Sequence, residues 1–220
     1  MKSCINSKAV NLLLIIPFLF LSLFSHAQLL QPNLILSSGG TDDDDNSKIT
    51  YDNDGNLYCV ADYEGTPLFN DIVVPTFGSD NIILSKYDNQ GNLIWGKTIA
   101  HASLVVVNSL SWNNGKLLMS GYFRNNLVFI LTQNGIPDTL EYSGFFYDPF
   151  IAEFYEDGTL LNKMSFDCKI VNDITGIKYF GSNIMIYGYF EDTLRFNKEN
   201  SYRSTICKHS IFIYLSQLFY

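Results

Sequence analysis

The sequence predicts an all-β fold, a β-propeller-like array of about three four-stranded antiparallel blades that forms an incomplete or open ring. Three observations predict it. One segment is written three times, as Leu57-Tyr58-Cys59-Val60-Ala61-Asp62-Tyr63, Leu117-Leu118-Met119-Ser120-Gly121-Tyr122-Phe123 and Ile184-Met185-Ile186-Tyr187-Gly188-Tyr189-Phe190. The copies share apolar, small and aromatic positions, and each is followed six residues later by Phe69, Phe129 or Phe196. Their spacing of 60 and then 67 residues (117 minus 57, 184 minus 117) marks a copied supersecondary unit. The second observation is a set of Gly-containing hairpin turns between short apolar runs, and the third is that no comparable window carries the 3.6-residue apolar period of a helix.

At the N-terminus, Lys2 and Lys8 precede an apolar stretch from Leu12 to Phe24, and Ser25-His26-Ala27 supplies small residues for signal peptidase. Residues 1–27 therefore read as a secretory signal cleaved near Ala27, with residues 28–220 as the mature chain. The stretch is shorter than the ~20 apolar residues of a spanning helix, so no membrane span is expected in the mature chain. Export places the protein outside the cell or on its surface.

The next segment, Leu34-Ile35-Leu36-Ser37 followed by Gly39-Gly40-Thr41 and an acidic run, has the form of the last strand of a blade. The units proper span roughly 44–103, 104–168 and 169–220. In the first, Ile49-Thr50-Tyr51, the turn Asn53-Asp54-Gly55-Asn56 and Leu57 to Tyr63 make one hairpin, because Asp-Gly supplies the positive φ that tight turns demand. Asn81 to Asp88, the turn at Asn89-Gln90-Gly91-Asn92 and Leu93 to Lys97 make the second. Pro149 to Tyr155, Glu156-Asp157-Gly158-Thr159 and Leu160 to Lys163 repeat it in the second unit, and Ser210 to Leu215 supplies a third strand to the last. Variable stretches such as 66–79 lengthen a blade between its hairpins.

Repeated four-stranded units bury both faces by radial packing, which favours a propeller over a β-sandwich with similar local signals. Propellers close with four to eight blades. Three units imply a fragment of a longer protein, two copies that close one ring, or an open arc whose unpaired edges self-associate.

Net charge is −8, from 14 basic and 22 acidic residues, and loss of Lys2 and Lys8 takes it to −10 (−8 minus 2). Scattered cations and an acidic balance exclude nucleic acid as a partner. An extracellular protein, glycan or other ligand remains the expected partner. Of four cysteines, three survive cleavage; Cys59 occupies the place of core residues Met119 and Ile186, and pairing of Cys168 with Cys207 is open.

The pieces Gly39-Gly40-Thr41-Asp42-Asp43, Asp54-Gly55-Asn56-Leu57-Tyr58, Gly121-Tyr122-Phe123, and Lys86-Tyr87-Asp88 through Gly91-Asn92-Leu93-Ile94-Trp95 resemble the secreted β-propeller repeat family of Bacteroidota, the SBBP-type repeats. The resemblance covers nearly all of residues 33–197. It implies a long exported protein with a C-terminal sorting domain, of which this chain is a truncated member, and it carries no catalytic residues.

Candidate chemistry is sparse. Gly91 to Thr98 fits the letter pattern of a phosphate-binding loop, but its bulky residues continue as a strand where such a loop opens a helix. The Asp88, Gly91, Trp95 spacing resembles the tryptophan repeats of quinoprotein dehydrogenases, although the second unit carries Asn162 in place of the tryptophan. Asp42, Asp43, Asp44 and Asp45 are the candidate metal ligands, for calcium, which takes six to eight oxygens; the same run is what a solvated acidic loop looks like. Asp52-Asn53-Asp54-Gly55 reads as a turn. Only His101 and His209 outlast the signal, without zinc spacing or a serine elbow. Tyr63, Phe123 and Phe190 read as packing residues rather than a sugar-stacking ladder. The function read from these features is a secreted, non-catalytic scaffold or ligand-binding module. The alternatives are an extracytoplasmic propeller enzyme, carbohydrate-active or quinone-dependent, and a gene fragment without independent function.

Overall fold

The computed structural model describes residues 44–65, 68–69, 72–144, 146–168, 173–181, 183–190, 193–195, 201–203 and 209–215. All regular structure among them is antiparallel β-sheet, with no helix, and no helix is long and apolar enough to cross a membrane. The signal segment, Leu34 to Ser37, Asp42 and Asp43 lie outside the described residues.

The first large sheet contains β1 (Asp44–Tyr51), β2 (Leu57–Glu64), β5 (Asp80–Tyr87) and β6 (Leu93–Ala102), in that order; the hairpin β3 (Leu68–Phe69) and β4 (Ile72–Val73) is inserted between β2 and β5. The second contains β7 (Leu104–Asn113), β8 (Lys116–Arg124), β11 (Asp148–Tyr155) and β12 (Leu160–Ser165), with the inserted hairpin β9 (Leu127–Phe129) and β10 (Asp138–Leu140). After β13 (Asp167–Cys168), the third contains β14 (Asp173–Phe180), β15 (Asn183–Phe190) and β18 (His209–Leu215), with β16 (Thr193–Arg195) and β17 (Ser201–Arg203) inserted. In each sheet the chain enters at one edge and meanders across.

The inserted segments do more than lengthen their own units. β9 pairs with β6, at Ala100 and His101, so the second unit's hairpin extends the first sheet to six strands. β16 likewise pairs with β13, the continuation of the second sheet's last strand. Each of these hairpins therefore straps its sheet to the one before.

The first strands of the three sheets pack side by side, β1 on β7 and β7 on β14. Between the first two sheets lies the main core, in which Val60, Leu84 and Ile99 meet Leu110, Phe123 and Phe154. A second core joins Leu118, Ile151 and Phe166 to Ile174, Ile177 and Ile186 of the third sheet. Each such side chain contributes about 1.5–3 kcal/mol on burial, so the sheets are held together mainly by their apolar faces. Polar ties add direction. Tyr179 of β14 donates its hydroxyl to the buried Glu153 carboxylate of β11 at 2.8 Å, and Lys116 and Asn162 reach the same carboxylate at 3.3 and 3.0 Å. Burial, then the hydrogen bond and charge of Glu153, push the Tyr179 phenol far up.

At one end of the sheets the hairpin turns among the described residues are tight. In Asp52–Asn56 and Asp88–Asn92 the aspartate's Oδ1 accepts two backbone amides and its Oδ2 accepts the asparagine side chain. Gly55 and Gly91 adopt φ of 82° and 88°, which a glycine reaches without steric cost. Burial pushes Asp52 up, but the Asn56 hydrogen bonds and Lys86, 3.5 Å away, leave its carboxyl below the usual range; the Asn92 hydrogen bonds do the same for Asp88. Depressed folded-state values stabilise the hairpins above the ordinary carboxylate pKa of about 3.9 and lose that contribution as pH falls through it. Hydrogen exchange at the Asn56 and Asn92 amides, corrected for intrinsic rate, is expected to speed up between about pH 4 and 2. The Ile130 amide, bonded to the Ile99 carbonyl at 3.0 Å, serves as the control. Unchanged protection at Asn56 and Asn92 would show that these carboxylates do not hold the turns.

Candidate functional site

The opposite end carries the long connections, residues 65–79, 125–147 and 191–208, and here each first strand is bulged. On β1, Asn46 and Ser47 together face Ala61; on β7, Asn108 is the extra residue between the partners of Gly121 and Ser120; on β14, Ile174 and Thr175 face Gly188. Ala61, Gly121 and Gly188 are the small position of the repeat. A Cβ on Gly121 would lie 1.9 Å from the Val106 carbonyl oxygen, and one on Gly188 would lie 2.0 Å from that of Asp173. Bulges leave backbone groups unpaired within the sheet and re-aim side chains.

Those groups link neighbouring sheets. The Val107 amide donates to the Asp62 carboxylate at 3.5 Å, and the Val105 amide donates to Asp80 at 3.1 Å. The bulged residue Asn108 donates its side-chain amide to the Asp173 carboxylate and, at 3.1 Å, to the Ile174 carbonyl. Asp62, Tyr122 and Tyr189 are equivalent in the repeat and follow the small position directly.

Tyr122 is the centre of the cluster. Its ring lies 5.1 Å from that of Tyr147, tilted by 53°. Burial raises its pKa, and the charges of Asp173, Tyr147, Asp62 and Tyr189 add to the rise. Burial also raises the Asp173 carboxyl, opposed only by the neutral Asn108 amide. The loop that brings Tyr147 in is anchored by Asp148, which accepts the Ser143 amide at 2.5 Å and its hydroxyl at 2.6 Å. Asn81 does the corresponding job in the first sheet, accepting the Phe77 amide at 2.8 Å. Partly buried aromatic faces, two carboxylates and an amide together can stack on and hydrogen-bond a polar ligand.

None of these residues is named as a site by sequence reasoning. The available signal was the divergence of Asp62, Tyr122 and Tyr189 beside an otherwise shared small position; Asn108, Tyr147 and Asp173 carry no local pattern.

The residues singled out from sequence lie elsewhere. Asp44 and Asp45 are in β1, opposite Tyr63 and Asp62, rather than in a loop. No group of three acidic, histidine or cysteine side chains able to hold a metal occurs among the described residues. Leu93 to Thr98 lies within β6, and Asp52 to Gly55 forms the turn described above. Trp95 packs on the main core, 6.4 Å from the Tyr58 ring. His101 stacks on Phe77 at 6.0 Å, and burial lowers its pKa. Cys59 is free and partly buried, its thiol pushed up to about 11 by burial, and Tyr63 and Phe123 are buried. Cys168 is in β13; Cys207 and the side chain of Phe190 lie outside the described residues.

No family model matches the chain, and no curated protein matches it.

Proposed function

We propose that the chain is a secreted, non-catalytic β-propeller-type module that binds its ligand at the end formed by the bulges and long connections, over Tyr122. The side-by-side first strands, with later strands stepping outward in each sheet, support the radial arrangement, as does the resemblance to the SBBP-type repeats. The observation that carries the binding reading is the asymmetry of the two ends. Among the described residues one end has tight turns, whereas the other gathers three bulges, the long connections and a tyrosine–carboxylate cluster. Binding surfaces are carried on loops held by a rigid scaffold. The signal-like N-terminus supports an extracellular setting.

Asp62 and Asp173 near Tyr122 favour one second reading, a carbohydrate-active enzyme, because glycoside cleavage uses a pair of carboxyl groups, and burial raises that of Asp173. Both readings are tested by screening residues 28–220 against glycan and peptide arrays and assaying turnover of any glycan bound. Tyr122→Ala is expected to weaken a bound ligand by about tenfold or more, the loss of one well-packed contact residue, and Tyr122→Phe to retain stacking. Ligand binding that ignores both Tyr122→Ala and Asp173→Asn would refute this site. Turnover abolished by Asp173→Asn would replace the binding reading with the enzymatic one.

A further inference from the structure

Ser120 and Tyr122 lie two residues apart on β8 and so point to the same side of the second sheet, the side from which Leu118 enters the core shared with the third. The Ser120 hydroxyl is fully buried there and has no hydrogen-bond partner. Leaving a buried hydroxyl unmatched is costly, so each instance calls for a physical reason. Its cross-strand neighbour Ser109 does not supply one, because that hydroxyl is committed to the Ile177 carbonyl at 3.3 Å and the Ile177 amide at 3.2 Å. The fold does not require the group either, since the first sheet carries Val60 at the equivalent position.

The groups beside it share one electrostatic character. Val107 and Asn108 are consecutive residues at the β7 bulge; the first gives its amide to Asp62 of the first sheet, and the second gives its side-chain amide to Asp173 of the third. Carboxylates from two sheets thus end next to each other beside Tyr122, which pairs with Val106. Both of these donors are neutral. Among the described residues no lysine, arginine or histidine offsets Asp173, whose carboxyl is raised by burial and opposed only by Asn108. Arg124, the next residue outward on that side of β8, is exposed. Tyr122 and Tyr147 add two aromatic rings, and Phe146 before Tyr147 is exposed. Carboxylate and aromatic faces together attract a cation, by charge and by the ring quadrupole. An ammonium or guanidinium also carries only donors, which suit a hydroxyl oxygen and a carboxylate.

Resting on the binding end proposed above, we infer that its ligand is a peptide presenting a basic side chain, whose charged head meets Asp173 and the Ser120 hydroxyl while its aliphatic stem lies along Tyr122 and Tyr147. The long stem of lysine or arginine is what lets a charge reach a hydroxyl set below surface rings. An apolar neighbour in the same peptide covers Phe146. A neutral glycan would stack on the tyrosines but leave Asp173 without a counterion. The net charge of −8 favours approach of a cationic partner over an acidic one.

Calorimetric titration with capped tripeptides that hold lysine, arginine, norleucine or glutamate between two leucines tests it, up to about 10 mM, above the millimolar affinity of one well-placed residue. The lysine and arginine peptides are expected to bind about tenfold tighter than the norleucine peptide, which keeps the stem and lacks the charge, and the glutamate peptide is expected not to bind. Asp173→Asn should weaken the lysine peptide about tenfold, the loss of one charge-assisted hydrogen bond, and leave the norleucine peptide unchanged. Ser120→Ala should weaken the lysine peptide about threefold without lowering the melting temperature, because the hydroxyl has no partner within the chain. Norleucine binding as tight as lysine binding, no binding by any of the four, or lysine binding that ignores both variants overturns the inference. A neutral ligand that Tyr122→Ala weakens, with no preference for the basic peptides, overturns it alone and leaves the binding end standing; binding that never responds to Tyr122→Ala or Asp173→Asn overturns both.

Discussion

Gly121→Ala is expected to destabilise the protein by about 3 kcal/mol, the upper range for forcing extra atoms into a packed site. The added Cβ would sit 1.9 Å from the Val106 carbonyl oxygen and 2.9 Å from the Phe150 ring, so a main-chain atom as well as a side chain blocks it. A flexible side chain could move aside; strand β7 can yield only by losing its bulge. Gly115→Ala is the matched control, with φ of 78° but nothing within 4 Å, and its backbone strain costs only about 1 kcal/mol. Urea midpoints followed by circular dichroism compare the two. A Gly121→Ala midpoint at or above that of Gly115→Ala would mean that β7 and β8 do not approach this closely. Alanine occupies the corresponding place in the first sheet, at Ala61, so the constraint belongs to the second and third sheets.

Phe154→Ala is expected to cost about 4 kcal/mol, from lost transfer energy plus the cavity left behind. Phe154 is fully buried in the main core, and its ring lies 6.0 Å from that of Phe129 on the strapping hairpin, tilted by 51°. Truncation would therefore loosen β9 from both the second sheet and β6 as well as open a void. Phe154→Leu, which keeps much of the volume, is expected to cost about 1.5 kcal/mol. Thermal denaturation of both variants, with exchange at the Ile130 amide as a local probe, separates a core cavity from release of the hairpin. Equal losses for leucine and alanine would show that ring geometry, rather than volume, matters here.

What could be read in the sequence follows from how local its causes are. The turns at Asp52–Asn56 and Asp88–Asn92 were legible because aspartate, glycine and asparagine at fixed offsets satisfy one another within five residues. The Asn114–Gly115 turn between β7 and β8 follows the same rule, with φ of 47° and 78°, and its Asn-Gly pair was available though not singled out. The shared small position was visible as a pattern, but its reason, a main-chain oxygen of the bulged neighbour, was not. Bulge register depends on what lies across the strand. The strapping of β9 onto β6 escaped because residues in one variable stretch find their partners in another sheet, at Ala100 and His101. The tyrosine–carboxylate cluster escaped for the same reason: Asp62, Asn108, Tyr147 and Asp173 come from separate strands and loops, and only the packing of sheets brings them together.

One connection has a mechanical consequence. β6 ends at Ala102 and β7 begins at Leu104, so Ser103 alone joins the first large sheet to the second, and its hydroxyl is tied to the Arg124 carbonyl at 3.1 Å. A single tethered residue leaves no hinge between those sheets. The spacing of Asp62 and Tyr122 is therefore set by the packing of the two sheets rather than by a hinge. At the proposed site, binding should proceed with little rearrangement of the strands, its entropic cost falling on side chains and the long connections of that end.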